Sequence, residues 1–387
     1  MRALVYGLAR SGQAAVARLE ARGDEVVTAD RSLGNEDDLS LLEGAEVLVK
    51  SPGVPGERPL VAEARRRGIA VWSELELGWS LLPPHTRLVA VTGTNGKTTT
   101  SELLGAILRA AGRDVAVAGN VGTPLSSIAD AEWVVCEVSS FQLEDVHRFA
   151  CDVAVLLNLE PDHLDRHGTF EAYRAAKLRV FERTRVAVVP AGSGLDGIAF
   201  SADDALPAEP LLRGAHNREN AAAATAAARA AGVDDAAIGE ALRTFPGVAH
   251  RLEPVGEVDG VRYVNDSKAT NVAAALRGLQ AYASEPVHLI LGGSLKGESF
   301  EPLAAAIGPN VRSIHVIGEA SAELAAALGE GCAHLDGTLD RAVAHASELA
   351  EPGSVVLLSP ACASYDQYEN FERRGEHFTF LVDRLRG

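Results

Sequence analysis

Residues 87–100, RLVAVTGTNGKTTT, run from an apolar strand into a glycine loop and out again as a helix. A strand that feeds a helix through so short a loop packs well only when the following strand returns parallel beside it. Such a segment fits an α/β layered fold, which the alternation along the chain then selects. The rest of the chain repeats the alternation. RALVY, EVVTAD, EVLVK and IAVW come first, with a helix from about Ser11 to Arg22. DVAVAG, EWVVCEVS, CDVAVLLN and VAVVP follow the glycine loop, and then RYVND, PVHLILGG, SIHVIG and SVVLLSP lead to a closing helix. ENAAAATAAARAAG is a strong helix former by propensity and should stop at Gly232. At 387 residues the chain is too long for a single core. Turn-rich breaks at LLPPHT (81–86) and near 247–250 predict three α/β domains, 1–84, 85–248 and 249–387.

Acidic residues outnumber basic ones 53 to 36, a net charge of −17 that argues against broad binding to nucleic acid or anionic membranes. No run approaches the roughly eighteen apolar residues of a membrane span, and the N-terminus reads as a strand and glycine turn without a secretory core. Cys136, Cys151, Cys332 and Cys362 have no metal-ligand spacing and are too few for a disulfide framework, which predicts a reducing cytoplasm. Among the 36 basic residues only five are lysines: Lys50, Lys97, Lys177, Lys268 and Lys296. Lysine offers a compact charge and a deprotonatable, nucleophilic amine where arginine offers a permanent planar fork. Each retained lysine is thus a candidate for work that arginine cannot do.

The main-chain N–H groups of Gly93, Thr94, Asn95, Gly96, Lys97, Thr98 and Thr99, in a glycine loop opening a helix, suit the phosphates of ATP or a similar nucleotide. Lys97 can neutralise phosphate charge, and the Thr98 hydroxyl suits Mg²⁺. The loop departs from the usual G-x-x-x-x-G-K-[ST] pattern, since Val91 holds the first glycine position. GLARSG (7–12) is a weaker phosphate turn, with Asp30 either a ribose ligand or plain turn chemistry. Glu137 ends a strand where sheet ligands usually sit. Asp162, His163, Asp165 and His167 in NLEPDHLDRHG form either a divalent-metal set or a solvated loop. HNREN (216–220) offers His216, Asn217 and Asn220 as adenine readers or as a helix cap. Arg251, Asp266, Lys268, Thr270, Lys296 and Ser364 fall in turn motifs near predicted strands of the last domain.

In order along essentially the whole chain, TGTNGKTTT, GNVG, EVSSFQL, NLEPDHLDRHG, YRAAK, HNREN, HR, NDSKATN, GGSLKG and SPACASYDQYENFERRG resemble the motifs of the Mur ligases of peptidoglycan synthesis. In that family the valine at position 91 is ordinary. The DNPR motif of the MurE-type members is missing. The resemblance implies a Rossmann-like N-terminal domain, a central P-loop mononucleotide-binding domain and a Rossmann-like C-terminal domain. It implies a cytoplasmic, ATP- and Mg²⁺-dependent ligase, a monomer working on small molecules, with neither nucleic acid nor membrane as partner. The reaction implied adds D-glutamate to UDP-N-acetylmuramoyl-L-alanine through an acyl phosphate.

By the same resemblance, Lys97, His163, Lys177 and Arg251 are catalytic. Thr98 and Glu137 hold one Mg²⁺, and His163 with a carbamylated Lys177 holds a second. Asn217 and Asn220 contact adenine, while Arg251, Asp266 and Lys268 approach the nucleotide from the C-terminal domain. Ser11, Arg31, Ser32, Asn120 and His163 contact the UDP-sugar. Thr270, Lys296, Ser364 and the main chain near Phe371 bind D-glutamate. Competing readings are another Mur-type amino-acid ligase, a P-loop switch NTPase and a nucleotide-sugar binding protein without catalysis.

Overall fold

The computed structural model describes residues 1–387 apart from Arg213, Lys296, Glu330, Gly387 and the side chain of Asp165. The chain forms two compact units, 1–245 and 246–387. The first unit holds two all-parallel sheets. One comprises β1 (Arg2–Tyr6), β2 (Glu25–Ala29), β3 (Val47–Lys50) and β4 (Ala70–Ser73) in the order β2-β1-β3-β4. The other comprises β5 (Arg87–Thr92), β6 (Val115–Gly119), β7 (Trp133–Glu137), β8 (Cys151–Leu156), β9 (Thr184–Pro190) and β10 (Ile198–Phe200), ordered β10-β9-β8-β5-β7-β6. The first strand of this sheet, β5, lies between β7 and β8, so later strands are added on both its sides and its C-terminal end is the topological switch point where such sheets take ligands.

β7 is buried over its whole length, which explains why WVVCE is a continuous apolar run ending in one carboxylate. The helix Lys97–Ala110 packs on this sheet beside the helix Ala215–Ala230. Six alanines of the second helix (221–224, 227 and 228) are buried in that core. Alanine here serves close packing as well as helix propensity.

The two sheets of the first unit are tied by the short helix Glu74–Ser80. The buried Glu76 carboxylate accepts main-chain N–H bonds from His147 (3.0 Å), Arg148 (2.9 Å) and Phe149 (2.9 Å). Its neighbour Glu74 accepts from Ser126 N at 2.7 Å, and burial pushes its pKa up. Lys50, 1% exposed, lies 3.1 Å from Asp145 Oδ2 and donates to Val54 O at 3.0 Å. Lys50, whose role the sequence left open, is therefore a buried structural cation.

The second unit has one six-stranded sheet: β11 (Glu253–Val258), β12 (Val261–Asn265), β13 (Val287–Gly292), β14 (Val311–Ile317), β15 (His334–Gly337) and β16 (Val355–Leu358). Its order is β11-β12-β16-β13-β14-β15, parallel except for the β11–β12 hairpin. That hairpin turns through Asp259 (φ 51°) and Gly260 (φ 79°), the left-handed pair expected of a two-residue Asp-Gly turn. No described helix is long and apolar enough to cross a membrane.

Replacing Glu76 by alanine removes the buried acceptor of three main-chain N–H donors, of which that of Phe149 is itself buried. Urea denaturation of Glu76→Ala should show a loss of about 3 kcal/mol or more. Glu76→Gln, which keeps an acceptor oxygen, should lose less.

Candidate active site

The glycine loop leaves β5 at Thr92 and turns through Gly93 (φ 154°) and Gly96 (φ 83°), backbone states that favour glycine. A Cβ at Gly96 would also stand 2.2 Å from Asn220 Oδ1. The loop is braced from outside. Asn158 accepts from Asn95 N through its side chain (2.8 Å) and from Thr94 N through its carbonyl (3.1 Å). Asn95 Nδ2 donates to Glu160 (2.9 Å), and the Thr94 hydroxyl lies 2.9 Å from Tyr173 OH. These contacts set the loop shape before any phosphate arrives.

Inside the loop the Lys97 ammonium donates to the carbonyls of Gly93 (2.8 Å) and Thr94 (2.9 Å). Lys177, from the helix Phe170–Leu178, donates to the same Gly93 oxygen at 2.7 Å and stands 4.8 Å over the Tyr173 ring. Burial, followed by the Lys97 charge, lowers the Lys177 pKa to about 7. Glu137, 3% exposed at the end of β7, accepts from Thr98 Oγ1 (2.8 Å) and Asn120 Nδ2 (2.9 Å). A buried carboxylate whose two oxygens accept from neutral donors, one of them the first-turn hydroxyl, fits a hard divalent cation. Thr98, Thr99 and Lys97 all lie in the first turn of the helix.

His163 sits in the left-handed region (φ 51°), with Nε2 3.5 Å from Asp162 and its ring 4.8 Å from that of Phe141. His167 turns away toward Ser140 Oγ (3.0 Å) and Glu144 (3.5 Å). Among the described residues of NLEPDHLDRHG, the two histidines differ in their surroundings. One of its histidines is presented and the other is pinned.

In the first sheet, Asp30 accepts from Leu8 N (2.7 Å) and from Ser32 N (2.8 Å) and Oγ (2.7 Å), so it builds the turn. Arg31 lines a cleft of about 480 Å³ with Tyr6, Gly7, Val54 and Arg58. Ser11 stands in the first turn of the helix Arg10–Ala21. Arg10 reaches Gly122 O (3.2 Å) in the loop that carries Asn120. Asn217 and Asn220 open the helix Ala215–Ala230, and Asn220 lies against the phosphate loop.

Within the second unit, Asp266 follows β12 and accepts from Ser359 Oγ (2.8 Å) and Leu252 N (3.2 Å), and burial pushes its pKa up to about 7. Arg251 lies between His250 (φ 63°) and Leu252 (φ 46°), both left-handed. Lys268 stands 3.7 Å over the Phe371 ring, and Thr270 N donates to Lys268 O at 2.8 Å. Ser364 is buried, while Lys296 lies outside the described residues. Sequence reasoning missed Arg374. This 1%-exposed guanidinium donates to Ser267 (Oγ 3.0 Å, O 2.9 Å) and to the carbonyls of Gly292 (3.3 Å), Cys362 (3.0 Å) and Ala363 (3.1 Å). It gathers the segments leaving β12, β13 and β16. Burial lowers its pKa to about 10. The neighbouring Arg373 is exposed and pairs with Glu376, and nothing in FERRG told the two apart.

A phosphate loop at a sheet's switch point, facing a buried carboxylate and a depressed lysine, defines a nucleotide-dependent α/β protein. The comparisons narrow the class. Residues 91–195 match the Mur ligase middle domain, and 250–362 match the Mur ligase glutamate ligase domain. The chain is 41% identical to a UDP-N-acetylmuramoylalanine–D-glutamate ligase of Sphingopyxis alaskensis, covering 98% of this chain and 96% of that protein. It is 40% identical to one of Koribacter versatilis, covering 99% and 97%. The crystal structure of the Thermotoga maritima UDP-N-acetylmuramate-alanine ligase MurC superposes with a TM-score of 0.63 at 18% identity, over 99% of both chains. The chain belongs to the Mur ligase family.

Because Lys177 titrates near 7 folded and near 10.5 unfolded, the unfolded chain binds the extra proton between those values. In CO₂-free buffer, stability should fall by about 2 kcal/mol as pH drops from about 9 to about 7, then level off. Lys177→Met should not show this slope in urea denaturation.

Proposed function

We propose that this chain joins D-glutamate to UDP-N-acetylmuramoyl-L-alanine using ATP, in the formation of the peptidoglycan precursor. The observation that carries the reading is its 40–41% identity, over nearly full length, to ligases named for that reaction. The intact phosphate loop, Glu137 and Lys177 support it as machinery. In this reading residues 1–84 form the UDP-sugar domain, 85–248 the ATP domain and 249–387 the amino-acid domain, acting as a monomer in the cytoplasm.

Amide formation needs an activated acyl group. An oxygen of the alanyl carboxylate attacks the γ-phosphorus of ATP and ADP departs, leaving an acyl phosphate. The D-glutamate amine then attacks the carbonyl carbon, inorganic phosphate leaves, and the nitrogen gives up its proton. No protein nucleophile is needed, so positioning and charge neutralisation carry the catalysis. The N–H groups of 93–99 and the Lys97 ammonium hold the phosphates. Asn217 and Asn220 hold the adenine, and Arg251, Asp266 and Lys268 act on the nucleotide. Ser11, Arg31, Ser32 and Asn120 hold the UDP-sugar, and Thr270, Lys296, Ser364 and the Phe371 main chain hold D-glutamate.

Mg²⁺ would be held by Thr98 and Glu137, and a second ion by His163 and Lys177. Such ions supply charge neutralisation of the transferring phosphoryl group. As an ammonium Lys177 would repel a cation. A lysine whose pKa lies near 7 offers the neutral amine that takes up CO₂, releasing a proton to give an anionic carbamate. Glu137 and the loop would then face a donor instead of a second positive charge.

Phosphate release with ATP, Mg²⁺ and UDP-N-acetylmuramoyl-L-alanine should require D-glutamate, and L-glutamate, meso-diaminopimelate or L-lysine should not replace it. Release without either co-substrate would instead make the protein a switch NTPase. Lys97→Ala should lower kcat by about 10²-fold or more. Lys177→Ala should lose activity, and ¹³CO₂-equilibrated wild-type protein should show a carbamate carbon resonance that this variant lacks.

A further inference from the structure

The second unit contains a histidine–carboxylate cluster that the ligase reading does not use. It lies at the β15 edge of the sheet, whereas Asp266, Lys268 and Ser364 follow β12 and β16 nearer the other edge. His315 (β14), Asp336 (β15) and His345 (helix Leu339–Leu349) each direct a ligand atom into one space, and these atoms all lie within 4.8 Å of one another. His315 Nδ1 is 2.7 Å from Asp336 Oδ2, and His345 Nδ1 is 3.0 Å from Asp336 Oδ1. His334, the register partner of His315 on β15, brings a further ring to the open side, its centroid 4.3 Å from that of His345.

The surroundings suit metal ligation. His315 is fully buried, which pushes its imidazole below the ordinary pKa and favours the neutral, ligating form. Its Nε2 lies 2.7 Å from Ser313 Oγ, itself 2.7 Å from Nδ1 of the buried His288. In the bare protein Nδ1–H of His315 donates to Asp336 and Nε2 accepts from Ser313; a metal at Nδ1 would move the ring proton to Nε2, which then donates to Ser313, whose hydroxyl donates to His288. This second shell of hydrogen bonds orients metal-bound imidazoles and fixes their tautomer. Two imidazole nitrogens and one carboxylate select a borderline first-row cation over Mg²⁺ or Ca²⁺.

We propose that His315, Asp336 and His345 form a Zn²⁺ site, separate from the Mg²⁺-type site of the phosphate loop, that ties β14, β15 and the helix Leu339–Leu349 together. Zn²⁺ would sit between Nδ1 of both histidines and the Asp336 carboxylate, with the fourth position open beside the exposed His334. Filling it requires the two short hydrogen bonds to Asp336 to open slightly and each Nδ1 proton to move to Nε2 of its own ring, leaving the lone pair for the metal.

The test uses the full chain, stripped with a chelator and titrated with Co²⁺ as a spectroscopic stand-in for Zn²⁺. The expected result is about one equivalent giving the visible absorption of four-coordinate Co²⁺, bleached by Zn²⁺, with a raised thermal midpoint. His345→Ala, at a half-exposed position, and Asp336→Asn should lose both signals while keeping ligase activity. Ser313→Ala, which leaves all three ligands in place, should weaken binding about 10–100-fold. His163→Ala should retain the absorption, which separates this site from the one at the phosphate loop. Stripped wild-type protein that gives no such absorption, or a signal unchanged in His345→Ala, would overturn the proposal whether or not the ligase reading stands.

Discussion

Two ammonium groups converge on one backbone oxygen, the Gly93 carbonyl, at 2.8 Å from Lys97 and 2.7 Å from Lys177. Like charges so close are unfavourable anywhere and more so in a buried site, where little water screens them. The lowered pKa of Lys177 follows first from its burial and then from that conflict. The loop cannot relax it by moving, because Asn158, Glu160 and Tyr173 hold Thr94 and Asn95 from the other side. A site built this way is stabilised by whatever brings in negative charge or removes a proton. The polyphosphate and the lysine carbamate of the proposed reaction would both answer that need. Electrostatics that look strained in the bare protein are matched to the ligand state.

This loop keeps its shape because the strands beneath it are rigid. β5, β7 and β8 are packed between helices, and the C-terminal ends of β5 and β7 place Gly93 and Glu137 side by side through the Val91–Glu137 register. The Glu76 carboxylate fixes the 147–149 segment just before β8, whose other end leads into Asn158 and the His163 loop. In the second unit Arg374 plays the comparable part. It donates to carbonyls at or beyond the ends of three strands, so one buried cation sets three loops at once. An arginine suits this because its planar fork reaches divergent acceptors, and its charge survives burial that depresses its pKa only to about 10.

Apart from the three-residue edge strand β10, the strands of the two sheets in the first unit were legible as apolar runs, and the phosphate loop was legible because glycine, lysine and threonine chemistry is local in sequence. β11 and β15 were not. EPVGEV and HLDG carry proline, glycine and charge at sheet edges, where one face need not be apolar. The Asp259–Gly260 turn was the available signal for β11. Lys177 was singled out by residue usage and by the family resemblance, since nothing in the chemistry of YRAAKLRV announces a contact 84 positions away with Gly93. Arg374 and the His315–Asp336–His345 cluster were hidden for the same reason: their partners are assembled by strand order, which the sequence does not spell out.

The scarcity of lysine can now be read physically. Lys97 and Lys177 need an ammonium small enough to share one carbonyl, and in the proposed reaction Lys177 would also have to lose its proton. Lys268 lies on the Phe371 ring at 3.7 Å, where either cation would stack. Lys50 has no role in chemistry, yet arginine would fit it poorly. Its ammonium is enclosed by Val54 O, Asp145 and, at 3.9 Å, Glu144, acceptors converging on a point and not along a fork. At the more open rim of that cluster the same carboxylates are met by Arg65 and Arg166. Among the described lysines, Lys50, Lys97 and Lys177 thus mark sites where the cation must be compact, whereas Lys268 does not.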